Sequence, residues 1–228
     1  MPGPAKSQLK LTDEGIARTA LEVLAHQGVA GLSFRRVGTE LRTSHMAVHR
    51  YCGSFEGMLD LCADYLAEQL PEVDPQLPWS SATELMYTAL YETMAEHWGL
   101  IALMRGRPWR GPNMIRRFSE PMVAASLAAG LNAQKVVECH RELYVFAVGC
   151  ALTHEMFGPT DALEAVDEGD FPAMASLHDI QTQPDQSDKD RFLRGIRTLI
   201  TSWDPQAGTR KPPGPRPNTP RRSSHRAS

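Results

Sequence analysis

With 228 residues, 42% of them hydrophobic, the chain has material for two domains with buried cores. No apolar run approaches the roughly 20 residues that a membrane-spanning helix needs, and the start of the chain lacks the pattern of a secretory signal, so a soluble cytoplasmic protein is expected. The formal charge of −3 is unevenly spread: residues 205–228 hold Arg210, Lys211, Arg216, Arg221, Arg222 and Arg226 and no acid, which leaves 18 basic against 27 acidic groups, net −9, in the first 204. Any affinity for nucleic acid must then come from local placement of charge.

Residues 12–27 have helical periodicity. Asp13 and Glu14 stand in the first turn, where they suit the helix dipole, Ile16, Ala20, Val23 and Leu24 form the buried stripe, and Gly28 comes just past the end. A second, shorter helix is capped by Ser33, with Phe34, Val37 and Leu41 inward and Arg35, Arg36 and Glu40 outward. Arg42, Thr43 and Ser44 break the pattern, and Thr43 or Ser44 can cap a third helix from His45 to about Tyr51. Ala47 and Val48 point inward there, leaving His45, Met46, His49 and Arg50 outward with no carboxylate to repel phosphate. Three helices in about fifty residues, the last two joined by a short turn, predict a helix-turn-helix unit. A fourth helix over 54–70, with Met58, Leu59, Cys62, Tyr65 and Leu66 apolar, connects it to the rest of the chain.

Beyond residue 70 the spacing predicts longer helices. Residues 71–78 read as a linker, Ser81 with Glu84 as a capping box opening a helix to about Trp98, and Gly99 as its end. A short helix covers 100–105, GRPWRGP at 106–112 is a loop, and a helical region to about Leu131 must be kinked or restarted by Pro121. Asn132 caps a helix over about 133–157. Helices at 171–177 and 188–203 complete an all-α body, with acidic or polar connections at 158–170 and 179–187. The tail from 205 onward, with six prolines and few apolar residues, is expected to be disordered, and its basic residues read either as a solubilising or accidental tail or as a source of nonspecific DNA affinity.

Aromatic and methionine side chains collect in the body. Tyr87, Tyr91, Met94, His97, Trp98, Met104, Trp109 and Phe118, with His140, Tyr144 and His154 on the facing helix, suit either a core or the walls of a small-molecule pocket. For ligand binding the expected set is Tyr91, Met94, Trp98, Met104, Trp109, Phe118, His140, Tyr144 and His154, which suggests an apolar or aromatic effector. Residues 143–152, LYVFAVGCAL, are apolar on every side and must be covered on every side. With the last helix, whose stripe is Phe192, Ile196, Leu199, Ile200 and Trp203, they suit a four-helix homodimer interface.

Chemistry by the chain itself is not expected. Gly-rich phosphate loops, GxSxG and HExxH are all absent. Cys52, Cys62, Cys139 and Cys150 show no CxxC spacing and fit buried reduced thiols. His45 and His49, four apart, could hold a metal, but on a DNA-facing helix they are expected to bond bases or phosphates instead. No cofactor and no metal is expected.

The first sixty residues resemble the DNA-binding domain of TetR-type transcriptional repressors. That pattern has a helix ending in Gly, a Thr or Ser opening the second helix, and a recognition helix followed by a Ser-Lys-Glu-like start. Here these are Gly28, Ser33, residues 43–51 (TSHMAVHRY) and Ser54-Phe55-Glu56. Arg42 stands where the family has a turn Gly, His49 where it has a phosphate-binding Tyr, Cys52 where it has Phe, and Phe55 where it has Lys. The body resembles the tetracycline-repressor-like C-terminal domain in AAGL at 128–131, YVFAVG at 144–149, Glu155, Asp170-Phe171-Pro172 and FLRGI at 192–196. The resemblance implies a helix-turn-helix domain at 1–60, an effector-binding and dimerisation domain at 61–204, and a tail at 205–228. It also implies a repressor that holds a palindromic double-stranded operator as a homodimer and is released by a small molecule. Thr43, Ser44, His45, Met46, His49 and Arg50 are expected to meet bases or phosphates, and Arg35, Arg36 and Tyr51 to position the duplex. The rival reading is a helical protein-binding scaffold that has lost DNA affinity.

Overall fold

The computed structural model describes residues 11–153 and 187–205, and every regular element among them is helical. The expected helix at 171–177, the connections around it, His154 and residues 206–228 lie outside the described residues.

Four hydroxyl caps set the first four helices, each accepting from a backbone amide of the first turn. Thr12 caps α1 (Asp13–Gly31) through Gly15 N at 3.1 Å, and Ser33 caps α2 (Phe34–Glu40) through Arg36 N at 3.2 Å. Ser44 caps α3 (His45–Cys52) through Ala47 N at 3.1 Å, and Ser54 caps α4 (Phe55–Glu68) through Gly57 N at 3.0 Å. At Gly28, with φ +66°, α1 breaks, and one further turn carries it to Gly31. Ile16, Ala17 and Ala20 of α1 meet Met58, Leu59 and Cys62 of α4 in one fully buried layer, and the Cys62 thiol donates to the Ala17 carbonyl at 3.8 Å. Ile16, Met58 and Leu59 each contribute roughly 1.5–3 kcal/mol of burial. Cys139 is buried like Cys62, whereas Cys52 and Cys150 are half-buried, and all four are free thiols.

The body comprises α5 (Trp79–Glu96), α6 (Trp98–Met104), the short α7 (Pro112–Met114), a π-helical turn over Ile115–Ser119, α8 (Glu120–Ala128), α9 (Ala133–Leu152) and α10 (Asp188–Trp203). Two expectations are corrected. The Ser81–Glu84 capping box does not form, because α5 already starts at Trp79 behind Pro78, and Glu84 instead accepts from Arg197 of α10 at 2.7 and 2.9 Å. Gly99 ends no helix; the break falls at His97, and Gly99 lies inside α6, where its missing Cβ keeps ordinary contact distance from Val29 of α1. In the run at 143–152, Leu143, Ala147 and Ala151 are buried, while Val145 is 64% exposed and Leu152 is also in contact with solvent. Pro121 restarts the helix as expected. It has no N–H for the ladder, and the register ahead of it loosens into the π turn. Asn132 caps α9, accepting from Lys135 N at 3.0 Å, and the described part of that helix ends at Leu152.

The body stacks α5 on α9 and α10, with α8 across one end, while α6 packs on both α1 and α4. Residues 60 and 61, where the sequence divides the domains, fall inside α4. Among the described residues no helix is long and apolar enough to cross a membrane.

Candidate functional site

Helix α3, the expected recognition helix, is fixed from below by Val48, which is fully buried, with Ala47 half-buried beside it. His45, Met46, His49 and Arg50 are therefore on the outside, Met46 at 52% exposure. The turn ahead of it is tight: Thr43 N donates to the Gly38 carbonyl at 2.8 Å, and a Cβ on Gly38 would stand 3.1–3.2 Å from the backbone of Thr43, Ser44 and His45. Gly38 is thus a residue the site needs and periodicity did not single out. Its signal is a glycine a few residues before the Thr43-Ser44 turn. Arg42, in the turn itself, has φ +53°.

The outward residues divide by what already holds them. Arg50, His45, Met46 and Arg35 project into solvent. His49 rests edge-on against Phe34, ring centroids 5.1 Å apart, and Phe34 in turn meets Phe55 at 6.2 Å, so the phenylalanine that replaces the usual lysine wedges α2 against α4. Arg36 pairs with Glu40 at 2.7 Å, and with the Gln27 amide oxygen turned toward it also donates to α1 from Nη2 and Nε at 2.7 and 2.9 Å. Tyr51 donates its hydroxyl to Asp13 Oδ1 at 2.8 Å, a bond that raises its pKa above the ordinary value. Two of the nine residues expected at DNA, Arg36 and Tyr51, therefore brace α2 and α3 against α1.

In the body, a hydrogen-bonded chain crosses the interior. Trp79 Nε1 donates to Ser126 Oγ at 2.9 Å, Ser126 Oγ lies 2.9 Å from His140 Nε2, and His140 Nδ1 lies 2.9 Å from the Tyr87 hydroxyl, which also donates to the His140 carbonyl at 3.1 Å. Tyr87 stacks on His140 and takes Phe118 edge-on at 5.1 Å. Burial lowers the His140 pKa and raises that of Tyr87 well above its usual range, so both are neutral at pH 7. Tyr144 accepts from Trp109 N at 3.1 Å, and Tyr91 stacks on Phe192 at 4.1 Å. The nearby Met94 and Met104 are buried. The interior thus gathers Tyr91, Met94, Met104, Trp109, Phe118, His140 and Tyr144 of the expected ligand set. It excludes Trp98, which is 56% exposed on the far side of α6. Ser126 and Trp79, which anchor the imidazole, were not foreseen, nor was Thr83, whose hydroxyl is fully buried without a partner among the described residues. A lone Ser or Thr inside a helical run gives no sequence signal of such a role.

One segment ties this interior to α4. Trp109 sits between Arg107, which grips Asp60 with both carboxylate oxygens at 2.7 and 2.8 Å, and Asn113, whose backbone and side-chain nitrogens reach Asp64 at 2.9 and 3.1 Å. Met114 N adds a third bond to Asp64 at 3.1 Å, and Gly111 has no Cβ because one would collide with that carboxylate.

No family model matches the chain. Among curated proteins it is 28% identical to the HTH-type transcriptional repressor DrrR1 of Streptomyces coeruleorubidus, over 83% of this chain and 76% of that protein. It is 26% identical to an HTH-type transcriptional regulator of Saccharopolyspora erythraea, over 87% of this chain and 86% of the relative. Among solved structures it is similar to the TetR family protein ActR of Streptomyces coelicolor in complex with (S)-DNPA, with TM-score 0.73, 26% identity, and coverage of 88% of this chain and all of that one. ActR in complex with actinorhodin gives TM-score 0.71 at 25% identity over the same shares.

Proposed function

We propose that this chain, a TetR-family helix-turn-helix transcriptional regulator, acts in the cytoplasm as a repressor that holds a palindromic operator as a homodimer and leaves it when a small apolar or aromatic effector enters the body. It has no catalytic role on this reading. The observation that carries it is the outer face of α3, where His45, Met46, His49 and Arg50 stand together without a carboxylate on a helix braced from three sides. Arg50 suits the O6 and N7 of a guanine, Met46 a thymine methyl, and Thr43, Ser44 and Arg35 the phosphates at either edge.

Dimerisation is assigned to α9 and α10. Val137, Val145 and Leu152 leave an apolar strip on α9, Gly149 permits close approach along it, and Gly195 lets α10 settle against Phe146. A two-fold axis there would set the two copies of α3 about 34 Å apart, one helical turn of DNA. The effector site is assigned to the neutral aromatic interior around Tyr87, Phe118, His140 and Tyr144, a reading supported by the two small molecules with which the similar ActR is crystallised. A ligand that displaced Trp109 would pull on Asp60 and Asp64 and so on α4, which carries the reading head. Release needs the effector to prefer the displaced state by a few kcal/mol.

Sedimentation of the full chain, with anisotropy titrations of a duplex from the region flanking its own gene across a range of salt, tests the reading. A dimer whose affinity falls steeply with salt is expected. A monomer that ignores DNA even at the lowest salt overturns it in favour of a protein-binding scaffold.

A further inference from the structure

A cleft of about 320 Å³ opens between α1 and the junction of α5 with α6, apart from the aromatic interior. Leu24 and Val29 of α1 and Leu100 of α6 make its walls apolar, and Glu96, His97 and Trp98 stand at its rim. Trp98 leaves a large indole surface in water here, although an apolar wall lies beside it. The electrostatics have one sign. Glu96 is the sole formally charged residue of the lining, and burial lowers the pKa of His97, which is therefore neutral at pH 7. Gly28, at the break of α1, and Glu96, at the end of α5, both line this cleft, and α5 has no basic residue in its last turn to offset the negative end of its dipole. The opposing start of α6 belongs to a helix of only seven residues.

An apolar cavity with an exposed indole and an unopposed carboxylate is suited to a cation that is itself partly apolar, since the ring face and the carboxylate attract the charge and the walls take the hydrocarbon. We propose that this cleft binds a small aromatic ammonium ion, its charge shared between the Trp98 ring and the Glu96 carboxylate. Anions are repelled by Glu96, and a neutral hydrocarbon gains nothing from it. Bound there, the ligand touches both the reading head and the body, and so forms a second input separate from the interior site.

Calorimetric titration of the full chain with benzyltriethylammonium tests this without DNA, so its result stands whether or not an operator is found. Saturable binding is expected, with no binding of the similarly sized anion 4-phenylbutyrate. Trp98→Leu is expected to weaken the ammonium about fivefold or more, and Glu96→Gln about threefold at low salt, with the difference shrinking as salt rises. Met94→Leu, a volume-conserving change in the interior, is expected to leave binding unchanged. Both rim side chains are solvent-exposed, so the variants should melt like the parent. Absence of binding at millimolar ligand, equal binding of the anion, or binding indifferent to both rim substitutions would each overturn the proposal.

Discussion

Arg42 holds a φ of +53° between α2 and α3, in the left-handed region where a side chain with a Cβ costs about 1–2 kcal/mol. Glycine removes that strain and returns part of it as greater freedom of the unfolded chain, so Arg42→Gly is expected to stabilise the protein by about 0.5 kcal/mol in urea unfolding. A loss of stability instead would mean that the guanidinium makes an interaction worth more than the strain. Arg50 is the opposite case, since it braces nothing inside the protein. Arg50→Ala is expected to leave the melting temperature unchanged and weaken operator binding by roughly 1–3 kcal/mol, with relaxed preference at one base pair. Uniform weakening across operator variants would make it a phosphate contact. His140 gives a pH signature. Its folded pKa lies below the unfolded value, so the unfolded state takes up the proton first as pH falls, and stability present above about pH 6.5 is lost down to the folded pKa. His97 shifts in the same direction. In melting curves, stability should thus fall as pH drops below about 6.5, with a slope of up to about 1.4 kcal/mol per pH unit for each histidine, and His140→Gln should remove its share of the slope.

Among the helices, α4 carries the most information that local pattern could not supply. Asp60, Asp64 and Glu68 recur every four residues along one side, Glu72 comes next at the same spacing, and each meets a partner from 107–117: Arg107, Asn113 with Met114, Arg116 and Arg117. These four interactions are unequal. Arg116 and Glu68 are 3.8 Å apart and largely in water, worth about 0–1 kcal/mol. Asp64 accepts two backbone amides at the start of α7, so Asp64→Ala should cost about 1–3 kcal/mol by leaving them unpaired. The measurement is urea unfolding of the variant beside Glu68→Ala, which should change little; equal effects would show that charge, not amide capping, holds the segment. The spacing of the acids can be read in the sequence, but their partners lie 45 to 50 residues away and nothing local announces them. Where caps are local, reading succeeds: Ser33 and Asn132 open the helices expected of them, and Ser44, one of the two candidates, opens the third. It fails at Ser81, where α5 already starts at Trp79 behind Pro78 and Glu84 meets Arg197, 113 residues away, and it cannot place Trp98, because an aromatic at helical spacing looks alike whether its face meets a core or a cleft.

At the scale of the whole molecule, the helices also fix where the chain leaves the body. Lys189 in the first turn of α10 pairs with Glu92 near the end of α5, while Arg197, farther along, meets Glu84 near its start, so α10 runs antiparallel to α5. The end of α5 adjoins α6, which packs on α1. Trp203, bonded through its indole N–H to Glu142 at 2.8 Å, therefore marks the end of the body remote from the reading head. Residues 206–228 start there, and 23 residues span at most about 80 Å when extended, against about 24 Å for the length of α10 itself. The six basic side chains are within reach of a bound duplex only if the tail runs back past the whole acidic body, which competes with DNA for them. Salt separates the two outcomes. If the tail reaches the duplex, deleting 206–228 should lower the slope of log affinity against log salt by about 0.9 for each phosphate that the tail neutralises, to a limit of about 5 per chain. If it lies on the body instead, the slope should hold and the affinity rise as the competition between body and tail ends. We propose the first, because phosphates along a duplex are denser in charge than residues 1–204, which are net −9 together, and an unchanged slope would refute it.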